Sequence, residues 1–429
     1  MTIGVGIAGL GTVGLGVLKV LQGNGEALAA RAQRPEVKVT AVSARDRGKN
    51  RGVDISEYHW VDDPVGLVSR DDVDVVVELI GGSVGPAHKL VTSALKAGKH
   101  VVTANKALLA HHGAELAKLA EASNVALKFE AAVCGGIPIV KSLREGLIAY
   151  EISTIRGILN GTCNYILTEM QATGRSFDVV LEEAQKMGFA ESDPVLDIGG
   201  GDTAHKLALL ASLAFGTLPD LEAVEVQGIE HVTPADIAFA DEFGYRIKLL
   251  GAARKTDGGI ELRVCPTMVR SRTPLGDAAS TFNAVEVNAG LAGPFFFQGR
   301  GAGEEPTAAA VISDLVDVAR GALGPVFGRP ITQMKRAVSV PPEAHISSFY
   351  LRFQVLDVPG VMASVSQHLT DEGVSIDSML QRGRSPGEPV SIVMLTHEAP
   401  QEAVERAVKA IAGSDKVFEN PCMIPMETE

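Results

Sequence analysis

Carboxylates and one lysine are concentrated between residues 191 and 206, where they could support proton transfer. Glu191 and Asp197 precede a run of glycines, and Asp202 and Lys206 then lie four residues apart at the start of a predicted helix. Residues at this spacing share one helix face. The helix is mostly Ala and Leu, so burial would favour a neutral lysine while the nearby acids oppose that shift. Such a lysine can exchange a proton with a substrate oxygen, which hydride transfer to or from a carbonyl requires.

The same residue types also allow other interpretations. Asp202 could be the N-cap of this helix and form a simple salt bridge with Lys206. The acids could instead bind the ammonium group of a substrate. The residues alone leave these alternatives open.

A glycine-rich turn near the start of the chain predicts a dinucleotide site. Gly9, Gly11 and Gly14 follow a predicted strand, Ile3–Ala8, and open a predicted helix, Val13–Gln33. Glycines at these positions permit the tight turn, the approach of a pyrophosphate and close packing of helix on strand, and the helix N-terminus attracts phosphate. The alternative is a glycine-rich turn without a ligand.

The tip of the second predicted strand, Val37–Ser43, bears on cofactor choice. Asp46 is the first acid after this strand, and Arg45, Arg47 and Lys49 surround it. Because arginines pair with a ribose 2′-phosphate, we expect NADP to be favoured over NAD. A solvated basic loop is the alternative.

Strands and helices alternate over residues 1–133, which predicts a doubly wound, Rossmann-type parallel sheet for an α/β fold. The further predicted elements are strands Val73–Leu79, His100–Thr103 and Val125–Ala131 and helices Gly85–Ala97 and Lys106–Ala122. Lys106 directly follows a strand, at the edge where such sheets bind ligands, so it is a candidate cofactor or substrate contact.

Two further regions follow. Residues 134–304 mix helices with strands such as Ile260–Pro266 and Ala284–Ala289, which predicts an α+β catalytic and dimerisation domain. A helix within 305–330, predicted from Thr307 to Leu323, is expected to pack back on the first domain. After Pro341-Pro342, residues 345–429 predict a βαββαβ, ferredoxin-like regulatory domain.

Bulk composition excludes several functional classes. The chain has 429 residues and a net charge of −13, which argues against nucleic-acid and anionic-membrane partners. No apolar run is long enough to span a bilayer. The four cysteines are far apart and form no zinc pattern. We therefore expect a cytoplasmic protein.

Several segments resemble homoserine dehydrogenases over about the first 330 residues. The chief one is the motif from Ala184 to Lys206, in which Gly188, Asp193-Pro194, Asp197, Asp202 and Lys206 occupy the family's fixed positions. The others are the start of the chain, Thr103–Lys106, Phe129–Pro138, Gly157–Tyr165 and Gly301–Thr307. Glu304-Glu305 departs from the family, where small or neutral residues are common.

This resemblance implies an NAD(P)H-dependent, reversible reduction of L-aspartate 4-semialdehyde to L-homoserine, in threonine, methionine and isoleucine biosynthesis. It implies that Glu191 and Asp202 bind homoserine, Lys206 donates the proton and Asp197 supports the site. The cofactor-side residues that it implies are Thr12, Val13, Lys106, Gly188 and Gly303. The candidates from the residue patterns are Gly9, Gly11, Gly14, Arg45 and Thr103. It also implies a sodium ion held by oxygens of Glu130, Val133, Gly135 and Ile137.

The C-terminal region resembles an ACT domain, with Asp357–Gly360 before a helix and Val374–Asp377 after it. This implies a homodimer or homotetramer and feedback inhibition by L-threonine at a site including Asp357, Gly360 and Asp377. A dimerisation module that has lost its ligand is the alternative. We expect no fused aspartate kinase.

Two rival functions remain. A semialdehyde dehydrogenase would need a cysteine nucleophile, for which Cys134 before Gly135-Gly136 is the candidate, although a small packing residue is expected there. A non-catalytic sensor of nucleotide and amino acid would have no need of a proton donor such as Lys206.

Overall fold

The computed structural model describes residues 2–32, 36–381 and 389–427. The first helix, α1, runs from Thr12 to Ala32, so Gln33, the predicted end of this helix, lies outside the described residues. No helix in the described part of the chain has both the length and the hydropathy needed to cross a membrane.

The N-terminal part forms a parallel sheet in the order β3-β2-β1-β4-β5-β6. Its strands are short and rich in fully buried valine, as expected for a sheet covered on both faces. This order confirms the predicted doubly wound fold. The strands are β1 (Ile3–Ala8), β2 (Val37–Ser43), β3 (His59–Trp60), β4 (Val75–Glu78), β5 (His100–Thr103) and β6 (Leu127–Lys128), and helices α2 (Pro86–Lys96) and α3 (Lys106–Ala122) connect them.

One predicted strand of this region, Val125–Ala131, is wrong in its extent. Only Leu127–Lys128 pairs with β5, and the chain then turns into a short 3-10 helix at Glu130–Ala132. The carboxyl of Asp314 accepts a hydrogen bond from the Glu130 N–H at 2.8 Å, so this backbone group is bonded to a side chain instead of a sheet neighbour.

The middle region combines helices with a mixed sheet in the order β11-β10-β7-β8-β9. Its helices lie on the sheet and share one continuous core with the N-terminal strands. The elements are β7 (Thr154–Ile158), α4 (Gly161–Thr173), α5 (Phe177–Lys186), α6 (Gly201–Phe215), α7 (Pro234–Glu242), β8 (Tyr245–Thr256), β9 (Gly259–Arg270), β10 (Phe282–Asn288) and β11 (Pro294–Arg300).

Helix α8 (Glu304–Ala319) then returns to the first sheet. Its buried residues Ala308, Val311 and Leu315 share a core cluster with strands β1 and β4. This helix begins three residues earlier than predicted, because the glycine turn is confined to residues 301–303 once β11 continues to Arg300.

The C-terminal region has the predicted βαββαβ order and its own core. Its elements are β12 (Ile346–Leu356), α9 (Val361–Asp371), β13 (Ile376–Gln381), β14 (Pro389–Thr396), α10 (Gln401–Ala412) and β15 (Cys422–Met426). The last strand, β15, pairs antiparallel with β12 and touches β9 at Met268, so one sheet continues from the middle region into this one. No local pattern of residues indicates that continuity.

A buried ion pair joins the same two regions. Nε and Nη2 of Arg352 on β12 donate to the two carboxyl oxygens of Asp236 on α7, at 2.6 and 3.2 Å. The Tyr350 hydroxyl donates to the same carboxyl at 3.0 Å. Thr233 and Asp236 also form the capping box of α7, so the carboxyl both starts a helix and holds the C-terminal region.

Candidate active site

Lys206 is buried on helix α6, with 8% of its surface exposed. Its Nζ donates hydrogen bonds to the Leu159 carbonyl oxygen at 2.6 Å and to Asp202 Oδ2 at 2.7 Å. The Leu159 carbonyl also accepts from Asn283 Nδ2 at 2.9 Å, which fixes its direction. An ammonium group carries three protons, so one remains for a substrate oxygen.

Asp202 links the lysine to the nucleotide-binding region. Its Oδ1 lies 3.2 Å from the Nζ of Lys106, the first residue of helix α3. The N-cap of α6 is Gly200, so the alternative of Asp202 as N-cap is wrong, although its salt bridge with Lys206 is present. Two lysines from different regions thus meet on one carboxylate.

Asn160, which the sequence interpretation gave no role, positions two of the acids. Its Nδ2 donates to Asp197 Oδ1 and to Asp202 Oδ2, each at 2.8 Å. Its Oδ1 accepts from the Cys163 N–H at 2.8 Å and caps helix α4. The available signal was an asparagine, a residue type favoured at helix N-caps, inside the Gly157–Tyr165 motif.

Neighbouring opposite charges and burial shift the pKa values of Lys206 and Asp202 in opposite directions. Burial lowers the pKa of Lys206, but Asp202 and its other neighbours outweigh it, so the pKa is raised. Burial raises the pKa of Asp202, yet Lys206 and Lys106 bring it well below its usual value. The pKa of Asp197 is raised by burial and by the charge of Asp202. Lys206 and Asp202 therefore form an ionised pair.

Glu191 is not part of this cluster. It is exposed, and its carboxyl has no hydrogen bond or ion pair with any other described residue. It lies in a loop whose apolar side chains are also exposed, among them Phe189 and Val195. The loop ends at the turn that contains Asp197. Glu191 is therefore close to the buried cluster in sequence, but its carboxyl does not contact it.

The glycine-rich turn lines a cavity of about 770 Å³. Gly9 has φ +107°, and a side chain there would collide with the Leu79 carbonyl oxygen at 2.4 Å. A side chain at Gly14 would collide with the Gly9 carbonyl oxygen at 2.1 Å. At Gly11 no atom lies within 4 Å of the position that a Cβ would take, so the turn is open on the side of Gly11. Thr12 and Val13 begin helix α1 beside it, and these features fit a pyrophosphate.

The tip of β2 forms the far wall of this cavity. Arg45, Lys49 and Arg51 are among its lining residues, whereas Arg47 is not. Arg51 was missed by the sequence analysis; it lies 5.6 Å above the Trp60 ring. Asp46 Oδ1 accepts from the Gly48 N–H at 2.8 Å, which shapes the loop.

Thr103 is buried below the cavity. Its hydroxyl donates to Glu78 Oε2 at 2.6 Å and accepts from the Asn105 N–H at 3.0 Å. Glu78 Oε1 accepts from the N–H groups of Ile80 and Gly81, two residues that line the cavity. The Thr103 side chain therefore holds the cavity wall in place.

Two further predicted cofactor-side glycines lie at helix ends. Gly188 follows α5 with φ +76°, and Gly303 precedes α8 with φ +118°. The neighbouring Glu304, where the sequence departs from the family pattern, pairs with Lys19 of α1 at 2.5 Å. This acid thus helps to attach α8 to α1.

Comparisons with known proteins indicate the same family for the N-terminal, middle and C-terminal regions. Family models match at residues 9–130 (homoserine dehydrogenase, NAD binding domain), 138–316 (homoserine dehydrogenase) and 349–413 (ACT domain). The homoserine dehydrogenase of Neisseria gonorrhoeae is 44% identical over 99% of both chains, and that of Pseudomonas aeruginosa is 43% identical over 96% of both. This chain belongs to the homoserine dehydrogenase family. It is an oxidoreductase with an NAD(P)-binding domain, a catalytic domain and an ACT domain.

Solved homoserine dehydrogenases share its fold. The enzyme from Thiobacillus denitrificans superposes with a TM-score of 0.94 at 43% identity, covering 100% of this chain and 98% of that one. A hyperthermophilic archaeal homoserine dehydrogenase, in complex with NADPH, has a TM-score of 0.65 at 27% identity and covers 76% and 100%. The family resemblance drawn from the motifs is confirmed.

The rival cysteine mechanism does not fit a homoserine dehydrogenase of this geometry. Cys134 is fully buried, and burial raises the pKa of its thiol to about 11. A nucleophilic cysteine needs the opposite shift.

The residues expected to hold a cation form the turn after β6. Within the described residues, the carbonyl oxygens of Val133 and Gly135 accept no hydrogen bond, whereas that of Ile137 accepts from the Ile139 N–H. The Glu130 carboxyl accepts from the N–H groups of Val140 and Lys141. Oxygen donors of this kind fit a hard cation such as sodium.

Within one chain the predicted effector residues lie at opposite ends of the ACT sheet. Leu356, next to Asp357, pairs with Pro389 at the start of β14, whereas Ile376, next to Asp377, pairs with Thr396 at its end. Gly360 is the N-cap of α9 with φ +91°, and Asp357 precedes it. Asp377 on β13 is exposed, and its Oδ1 lies 3.9 Å from His397 Nε2. The exposed helix N-terminus leaves N–H groups available for a carboxylate.

Proposed function

We propose that this enzyme reversibly reduces L-aspartate 4-semialdehyde to L-homoserine with NADPH, with Lys206 as the proton donor. One observation carries the proposal. The buried ammonium of Lys206 gives two of its hydrogen bonds to Leu159 and Asp202, and this leaves one proton for the substrate.

The chemistry requires two transfers to the carbonyl group. A bound nicotinamide cofactor would supply hydride to the aldehyde carbon, and the carbonyl oxygen would gain negative charge as the C=O double bond opens. Lys206 then gives its free proton to that oxygen, so the alkoxide becomes the hydroxyl of homoserine. In the oxidation direction Lys206 takes the proton back. Asp202 keeps the lysine charged between these steps.

The substrate is an amino acid, so its ammonium needs an anionic partner. Glu191 is exposed and its carboxyl has no partner among the described residues, so it can take this role. Asp197 accepts from Asn160 at Oδ1, which leaves its Oδ2 as a second candidate. Asp202 is already bonded to two lysines and Asn160, which supports a positioning role for it.

The preference for NADPH rests on charge. Arg45, Lys49 and Arg51 line the cavity at the end where a ribose attached to the turn would lie. A 2′-phosphate would pair with these cations, whereas NADH offers only a hydroxyl. Gly9, Gly11 and Gly14 would hold the pyrophosphate. The carbonyls of Val133 and Gly135 would hold a sodium ion.

For the ACT domain we propose L-threonine as a feedback inhibitor, bound near Asp357, Gly360 and Asp377. The N-terminus of α9 supports a carboxylate. Asp377 lies at the other end of the sheet in the same chain, so it would bind the ammonium from a second copy of the domain. Because ACT domains pair through their sheets, we propose a homodimer or a homotetramer.

A spectrophotometric assay tests these claims. Purified enzyme is incubated with homoserine and NADP or NAD, and absorbance of the reduced cofactor is recorded with and without millimolar threonine. We expect turnover with homoserine, a higher kcat/KM with NADP and a lower rate with threonine. No turnover with either cofactor would refute the proposed reaction, and a rate unchanged by threonine would refute the proposed effector.

A further inference from the structure

Two histidines and a glutamate face one another between helices α2 and α3. His88 lies in the first turn of α2, and His112 and Glu115 lie three residues apart on α3. One ligand atom from each residue lies within 4.8 Å of the other two. These residues have no place in the reaction described above.

The distances are those of a nearly closed metal site. Oε2 of Glu115 lies 3.8 Å from His88 Nε2 and 3.9 Å from His112 Nδ1. Both are too long for hydrogen bonds. Two ligand atoms that each lie about 2.0–2.2 Å from one zinc ion would be slightly closer to each other than 3.8–3.9 Å. Rotation of the side chains alone can therefore complete the site.

One detail favours a metal over a pair of salt bridges. His88 Nε2 is buried and has no hydrogen-bond partner within the described residues. A buried nitrogen without a partner is costly unless something binds it.

The two imidazole rings are neighbours, with the His112 centroid 4.5 Å from that of His88. The side chains are 29–56% exposed, so an ion has access and water can complete its coordination.

We propose that His88, His112 and Glu115 bind one divalent transition metal ion of the zinc class. Two imidazoles and one carboxylate are a ligand set that zinc uses in proteins, with water in the fourth position. The ion would join α2 to α3. It would also fix the loop before α2, since Val84 and Pro86 line the nucleotide cavity.

Cobalt(II) is the probe, because zinc is spectroscopically silent. Full-length enzyme is treated with a chelator, freed of it, and titrated with Co²⁺ while visible absorbance and binding heat are recorded. We expect one Co²⁺ per chain and displacement by Zn²⁺. His88→Gln and His112→Gln should weaken binding by more than about 100-fold, since mutating even an outer partner of a ligand costs 10–100-fold.

His111→Gln is the matched control. His111 is the neighbour of His112 on the same helix, but the centroid of its ring lies 5.5 Å from that of His205, and it is not one of the three clustered residues. This variant should bind Co²⁺ like the unmodified enzyme. Glu115→Gln changes an exposed residue and should weaken binding at least tenfold even if the histidine variants fold poorly.

Three results would overturn the proposal. They are no saturable Co²⁺ binding up to millimolar metal, unchanged affinity in Glu115→Gln, and loss of binding in His111→Gln.

Discussion

Asp202 keeps Lys206 protonated at the centre of a buried cluster. The two side chains meet at 2.7 Å, and Asp202 is 3% exposed. Burial alone would lower the pKa of the lysine, but the carboxylate reverses that effect. A lysine that stays charged until a basic oxygen forms beside it is suited to act as a general acid.

Removing this acid should slow the reaction without preventing cofactor binding. We expect Lys206→Ala to lower kcat by about 10²–10⁴-fold, the range for loss of a general acid. Steady-state kinetics measure the rate, and quenching of protein fluorescence measures NADPH binding. Lys186→Ala is the control, since Lys186 is an exposed lysine paired with Glu182. Near-normal turnover in Lys206→Ala would contradict the mechanism.

The pH profile of homoserine oxidation should report the Asp202–Lys206 pair. In this direction the lysine must be neutral, and its raised pKa means that the rate climbs as the pH becomes alkaline. Asp202→Asn removes the charge that raises this pKa, so the rising limb should move to lower pH although the maximal rate falls. Rates between about pH 6 and 11 measure the shift. A limb that does not move would show that another group controls it.

We expect cofactor selection to depend on the arginine that lines the cavity. Arg45 lines it and Arg47 does not. Loss of a hydrogen bond to a charged group costs about 1.5–3 kcal/mol, so Arg45→Ala should raise the KM for NADPH about 10–100-fold. The KM for NADH should change little. Arg47→Ala is the matched control and should leave both values unchanged. Equal effects of the two variants would contradict the assignment.

The elements predicted with the right bounds are those whose structure is decided by a local pattern of residues. Strands β1, β2 and β5 and helix α3 have the predicted bounds, because valine runs and a helix-starting lysine after Asn105 are local signals. The strand predicted at Val125–Ala131 failed because its backbone bonds to the distant Asp314.

In the candidate site, too, the residues close in sequence were predicted and those brought in from distant segments were not. The motif indicated Lys206 and Asp202, which are one helical turn apart. It missed Asn160, which bonds to Asp202, and the Leu159 carbonyl, which bonds to Lys206, since both contacts form only after β7 and α6 pack together. Glu191 was grouped with the lysine by proximity in sequence, yet it lies outside the cluster. Contacts between segments that are distant in the chain leave no periodic pattern in the sequence, so sequence patterns cannot predict them.

Cys134 should be dispensable for turnover. Its thiol is buried, and its pKa of about 11 keeps it protonated at neutral pH. We expect Cys134→Ala to retain kcat within a fewfold of the unmodified enzyme and to lose about 1 kcal/mol of stability through the small cavity it leaves. Assays with homoserine and with thiol-alkylating reagents measure this. Abolished activity in a folded variant would favour the cysteine mechanism.

The ion pair between Asp236 and Arg352 should hold the ACT domain on the catalytic domain. Asp236→Ala leaves a buried guanidinium without its partner, so it should cost about 3–5 kcal/mol of unfolding free energy. Urea denaturation measures this loss, and Asp241→Ala on the same helix, an exposed acid, is the control.

The contribution of this pair should also depend on pH in a defined direction. Burial raises the pKa of Asp236, but the hydrogen bonds from Arg352 outweigh it and the folded-state pKa is lowered. The unfolded chain has an ordinary aspartate pKa of about 3.9. The stabilisation is therefore complete above that value and is lost as the pH falls through the lower folded-state pKa. The difference in unfolding free energy between the unmodified enzyme and Asp236→Ala should shrink below about pH 4. A difference that stays constant down to pH 3 would mean that the pair does not hold the domains together.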